Sequence, residues 1–172
     1  MLDIAKSRRS VRKFTEEAVT EEDCAQLEAA ALLAPSSRGI YPVELIRVTD
    51  SGLIRQLAAC KNFGTSALNT ATLAYLVIAD AEKCDVWVED ASVAATYLML
   101  EAEALGLGLC WIQVRLRVGE GGASEELIRQ LVDIPEKFSV LCMLALGHKA
   151  EHPAPKDESM IDREKVRIAV PK

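Results

Sequence analysis

The order of apolar and polar residues predicts a chain in which helices and strands alternate. Thr20, followed by three acidic residues, is typical of a helix N-terminus, so we expect a helix that runs to Leu33 and ends before Pro35. The continuous apolar runs Leu73–Ala79 and Ser139–Leu146 are typical of strands that are buried on both faces. The remaining predicted elements are short helices over 2–9, 51–60, 64–69 and 124–132, and strands over 43–48, 109–114 and 166–170. The predicted fold class is α+β with one sheet, and no linker or repeat divides residues 1–172 into more than one domain.

The long helix predicted over Val86–Leu105 differs from an ordinary surface helix. Apolar residues stand on nearly all of its sides instead of in one stripe, so most of its surface should be buried. Two interpretations stay open at this point. The helix is either the central core helix of a single chain, or it is covered in part by a second subunit.

The composition narrows the class of protein. With 50% hydrophobic and 27% charged residues, the 172-residue chain is not disordered or of low complexity, and its length fits one domain. The net charge of −6 argues against nucleic acid as the main partner, and no uncharged stretch is apolar enough for a membrane span. Five cysteines without a CxxC pair predict reduced thiols and a cytoplasmic location. We expect no metal site, because His148 and His152 lack a third ligand nearby.

The N-terminus has the opposite charge to the rest of the chain. Residues 1–13 contain five basic residues and one acidic residue, a local charge of +4. Adjacent guanidinium groups at Arg8 and Arg9, with the hydroxyl of Ser10, can donate charge-assisted hydrogen bonds to a phosphate. Composition alone favours a solvated basic segment, so this interpretation depends on its context.

Two glycine patterns have simpler explanations than nucleotide binding. The pair Gly106 and Gly108 closes a helix and opens a strand, which is the reverse of a dinucleotide-binding turn, so we interpret it as a helix cap. The stretch Gly119–Gly122 lacks the Lys and Ser/Thr of a phosphate-binding loop and is predicted to be a flexible turn.

The basic segment is also the first of four sequence blocks that stand in order along the chain. They are Arg8–Phe14, Ala34–Pro42, Glu89–Asp90–Ala91 with the long apolar helix into Gly106–Ile112, and Leu144–Gly147 before a tail containing Pro and Lys. Together these blocks resemble the nitroreductase family of FMN-dependent enzymes, and they cover most of the chain.

The resemblance implies a fold and an activity. The family has a central, mainly antiparallel sheet flanked by helices and forms an intertwined homodimer with FMN at the interface, so residues 150–172 are expected to pack on the partner subunit. It implies that NAD(P)H reduces FMN at N5 and that an electron-poor acceptor, such as a nitroaromatic or a quinone, takes the electrons. The alternatives are dehalogenation or enone reduction on the same scaffold, a flavin-binding module without turnover, and a helix-rich interaction protein without a cofactor.

The resemblance also implies the cofactor-binding residues, while no catalytic side chain is expected. The segment Arg8, Arg9 and Ser10 matches the part that holds the FMN phosphate and ribityl chain, and Arg12 matches the position at the pyrimidine edge of the flavin. The residues Pro35, Ser36, Ser37 and Gly39 match the loop that the partner supplies, Gln113 and Val114 match the pair whose backbone faces N5, and Lys156, with Lys149 as second choice, matches a phosphate ligand in the tail.

The sequence departs from the family pattern at both ends of the expected site. Gly39, Tyr41 and Val43 stand where the loop normally has Asn, Gln and Trp, and Glu158 replaces a tail Arg. Arg38 is unusual in this loop, and we interpret it as a candidate contact for an anionic substrate or a nicotinamide phosphate.

Overall fold

The computed structural model describes residues 1–169 and 171, and this part of the chain forms an α+β fold as predicted. The helices are α1 Leu2–Ser7, α2 Glu21–Leu32, α3 Ser51–Ala59, α4 Trp87–Ala104 and α5 Ser124–Leu131. The strands are β1 Val43–Val48, β2 Leu73–Asp80, β3 Leu107–Gln113, β4 Val118–Gly119, β5 Gly122–Ala123 and β6 Phe138–His148.

Local sequence signals explain where several helices begin and end. The Thr20 side chain accepts a hydrogen bond from the Asp23 N–H (3.1 Å) and so caps α2. Gly106 has a φ of 77°, and its N–H donates to the Glu103 carbonyl, which terminates α4 as predicted. The helix predicted over 2–9 is shorter than expected, since α1 ends at Ser7 and Arg8 has a non-helical backbone. The predicted helix over 64–69 is only a 3₁₀ turn over Ser66–Asn69.

The four long strands form one antiparallel sheet in the order β1-β2-β6-β3. The two central strands, β2 and β6, are buried along almost their whole length and separate two apolar cores. The helices α2 and α4 cover one face, while α3 and α5 cover the other. A β-bulge interrupts the pairing of β2 with β6. Val77 opposes Cys142 while the next residue, Ile78, opposes Val140, so Leu141 is the extra residue in β6.

Two glycines that face each other across β3 and β6 fix the N-terminal segment. Gly108 pairs with Gly147 in the register of these strands. A Cβ on Gly108 would lie 2.8 Å from Val11 Cγ1, and one on Gly147 would lie 2.9 Å from Phe14 Cβ. The Val11 N–H also donates to the Leu109 carbonyl (3.1 Å). The two missing side chains therefore make the space in which Val11 and Phe14 pack against the sheet.

The helix α4 buries only one stripe within a single chain. That stripe consists of Asp90, Ala91, Ala94, Ala95, Leu98 and Ala102. On the outward side Tyr97 is 42% exposed and Leu100 is only partly buried. The single chain therefore leaves an apolar face of α4 uncovered, which favours the second of the two interpretations given above.

One further expectation from the sequence is confirmed as a turn, and another is wrong. Glu120 and Gly121 form the turn of the β4–β5 hairpin, inside the stretch Gly119–Gly122 that is predicted to be a turn, and Gly119 packs closely, since a Cβ there would lie 2.6 Å from the Cys60 carbonyl oxygen. Residues 166–169 are exposed and irregular instead of forming a strand, while Val170, the last residue of that prediction, lies outside the described residues.

Two further features concern the cysteines and the length of the helices. All five cysteines are free and buried. Among residues 1–169 and 171, we find no helix that combines the length and the apolar character needed to cross a membrane.

We predict that Gly147→Ala lowers the free energy of unfolding by about 1–3 kcal/mol, because the added methyl group collides with Phe14 in a packed contact. Urea denaturation measures the change. Gly122→Ala is the matched control, since its Cβ would meet nothing nearer than the Glu126 carboxylate at 3.5 Å. Equal unfolding midpoints for the two variants would contradict the close contact.

Candidate functional site

The basic segment crosses the edge of the sheet beside β3. Arg9 donates from its guanidinium group to the Ala154 carbonyl, and the Arg12 N–H donates to a Glu151 carboxylate oxygen (2.6 Å). Ser10 forms a bridge to Leu109 of β3. Among the described residues, no carboxylate lies within ion-pair distance of the guanidinium groups of Arg8, Arg9 or Arg12. The three guanidinium groups are therefore not engaged in ion pairs, although the Glu151 carboxylate is bound to the backbone of the same segment.

Further positive charge converges on the same region of β3. Burial raises the pKa of the Cys110 thiol, the charges of Arg12, Lys61 and Arg8 oppose this rise, and the charge of Glu151 adds to it. These three cations therefore lie close enough to one buried thiol to act on it. Because they come from the N-terminal segment and from the loop after α3, the two segments meet beside β3.

The C-terminal tail runs alongside the N-terminal segment. The Lys156 N–H donates to the Lys6 carbonyl (2.9 Å), and the Glu158 carboxylate lies 2.8 Å from the Lys6 ammonium group. Glu158, which replaces the family's Arg, is thus paired with a cation. Lys149 forms an ion pair with Glu103 (2.8 Å) and is already engaged. Lys156 therefore stays the better of the two candidates in the tail.

The backbone groups of the neighbouring residues Gln113 and Val114 face different parts of the structure. Because the Leu109 carbonyl faces the N-terminal segment, the alternation of β3 turns the backbone of Gln113 to the same edge, away from β6. Val114 is buried, and its N–H, like that of Arg115, donates to the carbonyl of the bulged Leu141 (3.1 and 3.0 Å). The Val114 N–H is therefore already used within the chain, whereas the backbone of Gln113 faces the edge beside the basic segment, and the assignment of this pair to the flavin stays a prediction.

The loop Pro35–Tyr41 is fastened to the start of α4. The buried Asp90 accepts hydrogen bonds from the Ser36 hydroxyl (2.6 Å) and from the Ser37 N–H (3.0 Å). The Ser36 oxygen in turn accepts from the Tyr41 N–H (2.9 Å). Sequence reasoning missed this role of Asp90, although an acidic residue in the first turn of an otherwise apolar helix was a usable signal.

The same loop has an unusual backbone. Arg38, Gly39 and Tyr41 all have positive φ, at 55°, 65° and 51°. Glycine adopts this region without strain, whereas Arg and Tyr do so at a cost that the surrounding contacts must offset. Arg38 also forms an ion pair with Asp85, and this pairing lowers the pKa of the Asp85 carboxyl. The loop is therefore held in one shape from both ends.

A single chain does not bring the loop and the basic segment together. Asp90, which holds the loop, is at the start of α4, whereas Met1 and Ile4 of the N-terminal segment contact the other end near Ala104. An 18-residue helix is about 27 Å long, so the two parts of the expected site lie at opposite ends of α4. The predicted cofactor residues thus form two separate groups.

Comparison with known proteins identifies the family. Residues 5–74 and 61–148 match the model of the nitroreductase family. The structure of an FMN-dependent nitroreductase from Clostridium difficile R20291 is 41% identical, with a TM-score of 0.95 and 98% of each chain covered. The chain therefore belongs to the nitroreductase family, and the fold expected from the resemblance is confirmed.

Two further relatives agree with this assignment. A protein of Archaeoglobus fulgidus, provisionally assigned as an NADH dehydrogenase/NAD(P)H nitroreductase, is 33% identical over 88% of this chain and 83% of its own length. The NADPH-flavin oxidoreductase of Vibrio harveyi is 30% identical over 87% of this chain and 66% of its own length.

We predict that Asp90→Ala loosens the loop, because the Ser36 hydroxyl and the Ser37 N–H lose their acceptor at a cost of about 1–3 kcal/mol. Limited digestion with trypsin, followed by mass spectrometry, should show faster cleavage after Arg38 than in the unmodified protein. The control is Glu89→Ala, which removes the exposed neighbouring carboxylate. The same cleavage rate after Arg38 in both variants would show that Asp90 does not fasten the loop.

Proposed function

We propose that this protein is an FMN-dependent NAD(P)H oxidoreductase that reduces an electron-poor acceptor such as a nitroaromatic or a quinone. The observation that carries the proposal is the group of three guanidinium groups, Arg8, Arg9 and Arg12, which lie beside the open edge of β3 and form no ion pair with a carboxylate in the described part of the chain. Family membership supports it, as do the activities named for the relatives from Clostridium difficile and Vibrio harveyi.

The donors present fit FMN. A phosphate group needs several charge-assisted donors, which Arg8, Arg9, Ser10 and Lys156 supply. The ring needs a donor near N5, and the backbone N–H of Gln113 is turned to the correct edge. When bound, FMN accepts a hydride from NAD(P)H at N5 and passes two electrons to the acceptor.

The side chains of the proposed site bind and orient FMN, and none of them needs to act as a nucleophile. Arg12 supplies positive charge at the pyrimidine edge of the ring, which favours the negative charge that accompanies reduction and raises the redox potential. Burial of Val11 at 1% exposure fixes the backbone between Ser10 and Arg12, so the core positions the residue that carries this charge. Pro35, Ser36, Ser37 and Gly39 form the loop that closes the site from the other subunit.

A homodimer would complete the site, and two surfaces support it. The first is the apolar groove formed by the outward face of α4 with Met1 and Ile4, where Tyr97 and Leu100 lack a cover. The second is the tail beyond Glu158, whose large apolar residues are exposed. They are Met160, Ile161, Val166 and Ile168. Contiguous exposed apolar surface of this kind indicates a protein interface, and we place residues 150–172 on the partner subunit.

The proposed location is the cytoplasm, because five free and buried thiols suit a reducing compartment.

We predict that the purified protein carries FMN and that its visible flavin absorbance bleaches when NADH or NADPH is added under anaerobic conditions. A nitroaromatic or quinone should then restore the absorbance.

Arg8→Ala with Arg9→Ala should weaken FMN binding by roughly 100-fold, since charge-assisted hydrogen bonds contribute about 1.5–3 kcal/mol each. Fluorescence titration of the protein with FMN measures this affinity.

The controls separate binding from folding and turnover. Arg8→Lys with Arg9→Lys keeps the charge and should retain part of the affinity, while circular dichroism should be unchanged in both double variants. Unchanged FMN affinity in the alanine variant would contradict the phosphate assignment. Flavin that does not bleach with either nicotinamide would leave a flavin-binding module instead of an enzyme.

We also predict a dimer in sedimentation experiments at micromolar concentration. Tyr97→Glu places a charge on the outward face of α4 and should yield a monomer that loses FMN, because half of each site then lacks its partner. Gln130→Glu adds the same charge on an exposed face of α5 and should stay dimeric. A monomer that retains FMN with full affinity would contradict the shared site.

A further inference from the structure

A second cleft lies next to the proposed flavin site. It has a volume of about 490 Å³, and its walls are the loop Lys61–Gly64 after α3 and the segment Leu116–Val118 after β3. The Asn62 N–H donates to the Val118 carbonyl (3.2 Å), which joins the two walls at one end. The cleft is therefore a built feature of the fold in which two loops from distant parts of the chain meet.

Large apolar side chains at this cleft are exposed. Phe63 is 82% exposed, and Leu116 and Val118 are 77% and 61% exposed. Leu116 has a φ of 59°, a conformation that a residue with a side chain adopts only at an energetic cost. The turn is stabilised by the Arg117 N–H, which donates to the Val114 carbonyl (2.9 Å). The fold thus maintains apolar side chains at this surface although their exposure is unfavourable.

The cleft is also positively charged. Burial and the nearby charge of Arg117 lower the pKa of the Lys61 ammonium group. Arg117 donates to the Leu116 carbonyl (2.9 Å), and among the described residues neither cation has a carboxylate within ion-pair distance. Because both cations line the same cleft and the described residues provide no acidic partner, an anion between them is favoured.

The position of the cleft connects it to the proposed reaction. One wall of the cleft, Leu116–Val118, begins three residues after Gln113, whose backbone faces the edge where the basic segment lies. The cleft therefore opens beside the place where the flavin is proposed to bind. A molecule in the cleft would lie close to that site.

We infer that this cleft binds a small aromatic anion, with the ring against Phe63 and an acidic group between Lys61 and Arg117. The inference rests on the proposed function for the reaction that follows, and it specifies the substrate class as an electron-poor aromatic compound that carries a carboxylate. Phe63 supplies an apolar surface for any aromatic ring, whereas Lys61 and Arg117 select for an anion. A neutral aromatic compound gains only the contact with Phe63.

The test compares two acceptors that differ only in charge, 4-nitrobenzoate and methyl 4-nitrobenzoate, with the FMN-loaded protein and NADH. We expect a preference for the anion in kcat/KM on the order of tenfold, as two exposed charge contacts would give. Lys61→Gln with Arg117→Gln should reduce the preference to near unity through KM, and so should about 1 M salt, which screens beyond roughly 3 Å. Lys83→Gln, a change of an exposed lysine outside the cleft, should leave the preference unchanged.

A binding measurement tests the cleft without turnover. Calorimetric titration with benzoate, which has no reducible group, should show an affinity on the order of tenfold weaker in the double variant. This readout distinguishes the two ideas. If benzoate binds as expected while neither nitro compound is reduced, the proposed function fails and the anion site stands.

Three results would overturn the inference. The first is an equal preference for 4-nitrobenzoate in the double variant and the unmodified protein. The second is a rise in KM for NADPH but not for NADH without a change in acceptor preference, which would assign the two cations to the phosphate of the donor. The third is a change in sedimentation with no change in benzoate affinity, which would assign the cleft to a contact with a second copy of the chain.

Discussion

The contact of Val11 and Phe14 with two opposed glycines is the constraint on which the candidate site depends. Gly108 and Gly147 pair across β3 and β6, and any side chain there would occupy the space that Val11 and Phe14 fill. Because interiors are close-packed, this contact fixes the backbone on both sides of it. The backbone of the basic segment is therefore positioned by buried neighbours, and the Glu151 carboxylate binds the Arg12 N–H instead of a guanidinium group. A site that must attract an anion is better built in this way, since an ion pair within the protein would compete with the ligand.

The central sheet likewise positions the backbone N–H of Gln113, the proposed donor to the flavin. The bulge at Leu141 in β6 gives its carbonyl two donors, Val114 and Arg115, and so ends the regular pairing of β3. Up to that point the alternation of β3 is kept, which turns the Gln113 backbone toward the basic segment. The strained turn at Leu116 follows directly. One irregularity in a buried strand thus determines where the edge donor is and where the wall of the neighbouring cleft begins.

Sequence reasoning reached the features that local physical chemistry determines. The cap at Thr20, the buried strands β2 and β6 and the end of α4 at Gly106 all follow from short-range signals, and the structure agrees with them. Sequence reasoning failed where a structural feature depends on a contact between segments that are distant in the chain. Nothing near Gly108 in the chain indicates that Val11 approaches it, so it was interpreted as part of a cap. For the same reason the pattern did not show that the Val114 N–H is used by Leu141, or that Asp90 fastens the loop at Ser36.

The separation of the two groups of cofactor residues along α4 has a thermodynamic consequence for the proposed dimer. The loop lies at the start of this 18-residue helix and the basic segment near its end, so neither chain alone offers the whole set of contacts. If the flavin is held by the basic segment of one subunit and the loop of the other, its binding free energy includes contacts that exist only in the dimer. Linkage then requires that FMN strengthens the dimer by the same factor by which dimerisation strengthens FMN binding. The apolar face of α4 and the fastening of the loop by Asp90 would therefore act on cofactor affinity without touching the cofactor, and the protein concentration at which the subunits dissociate would depend on how much flavin is present.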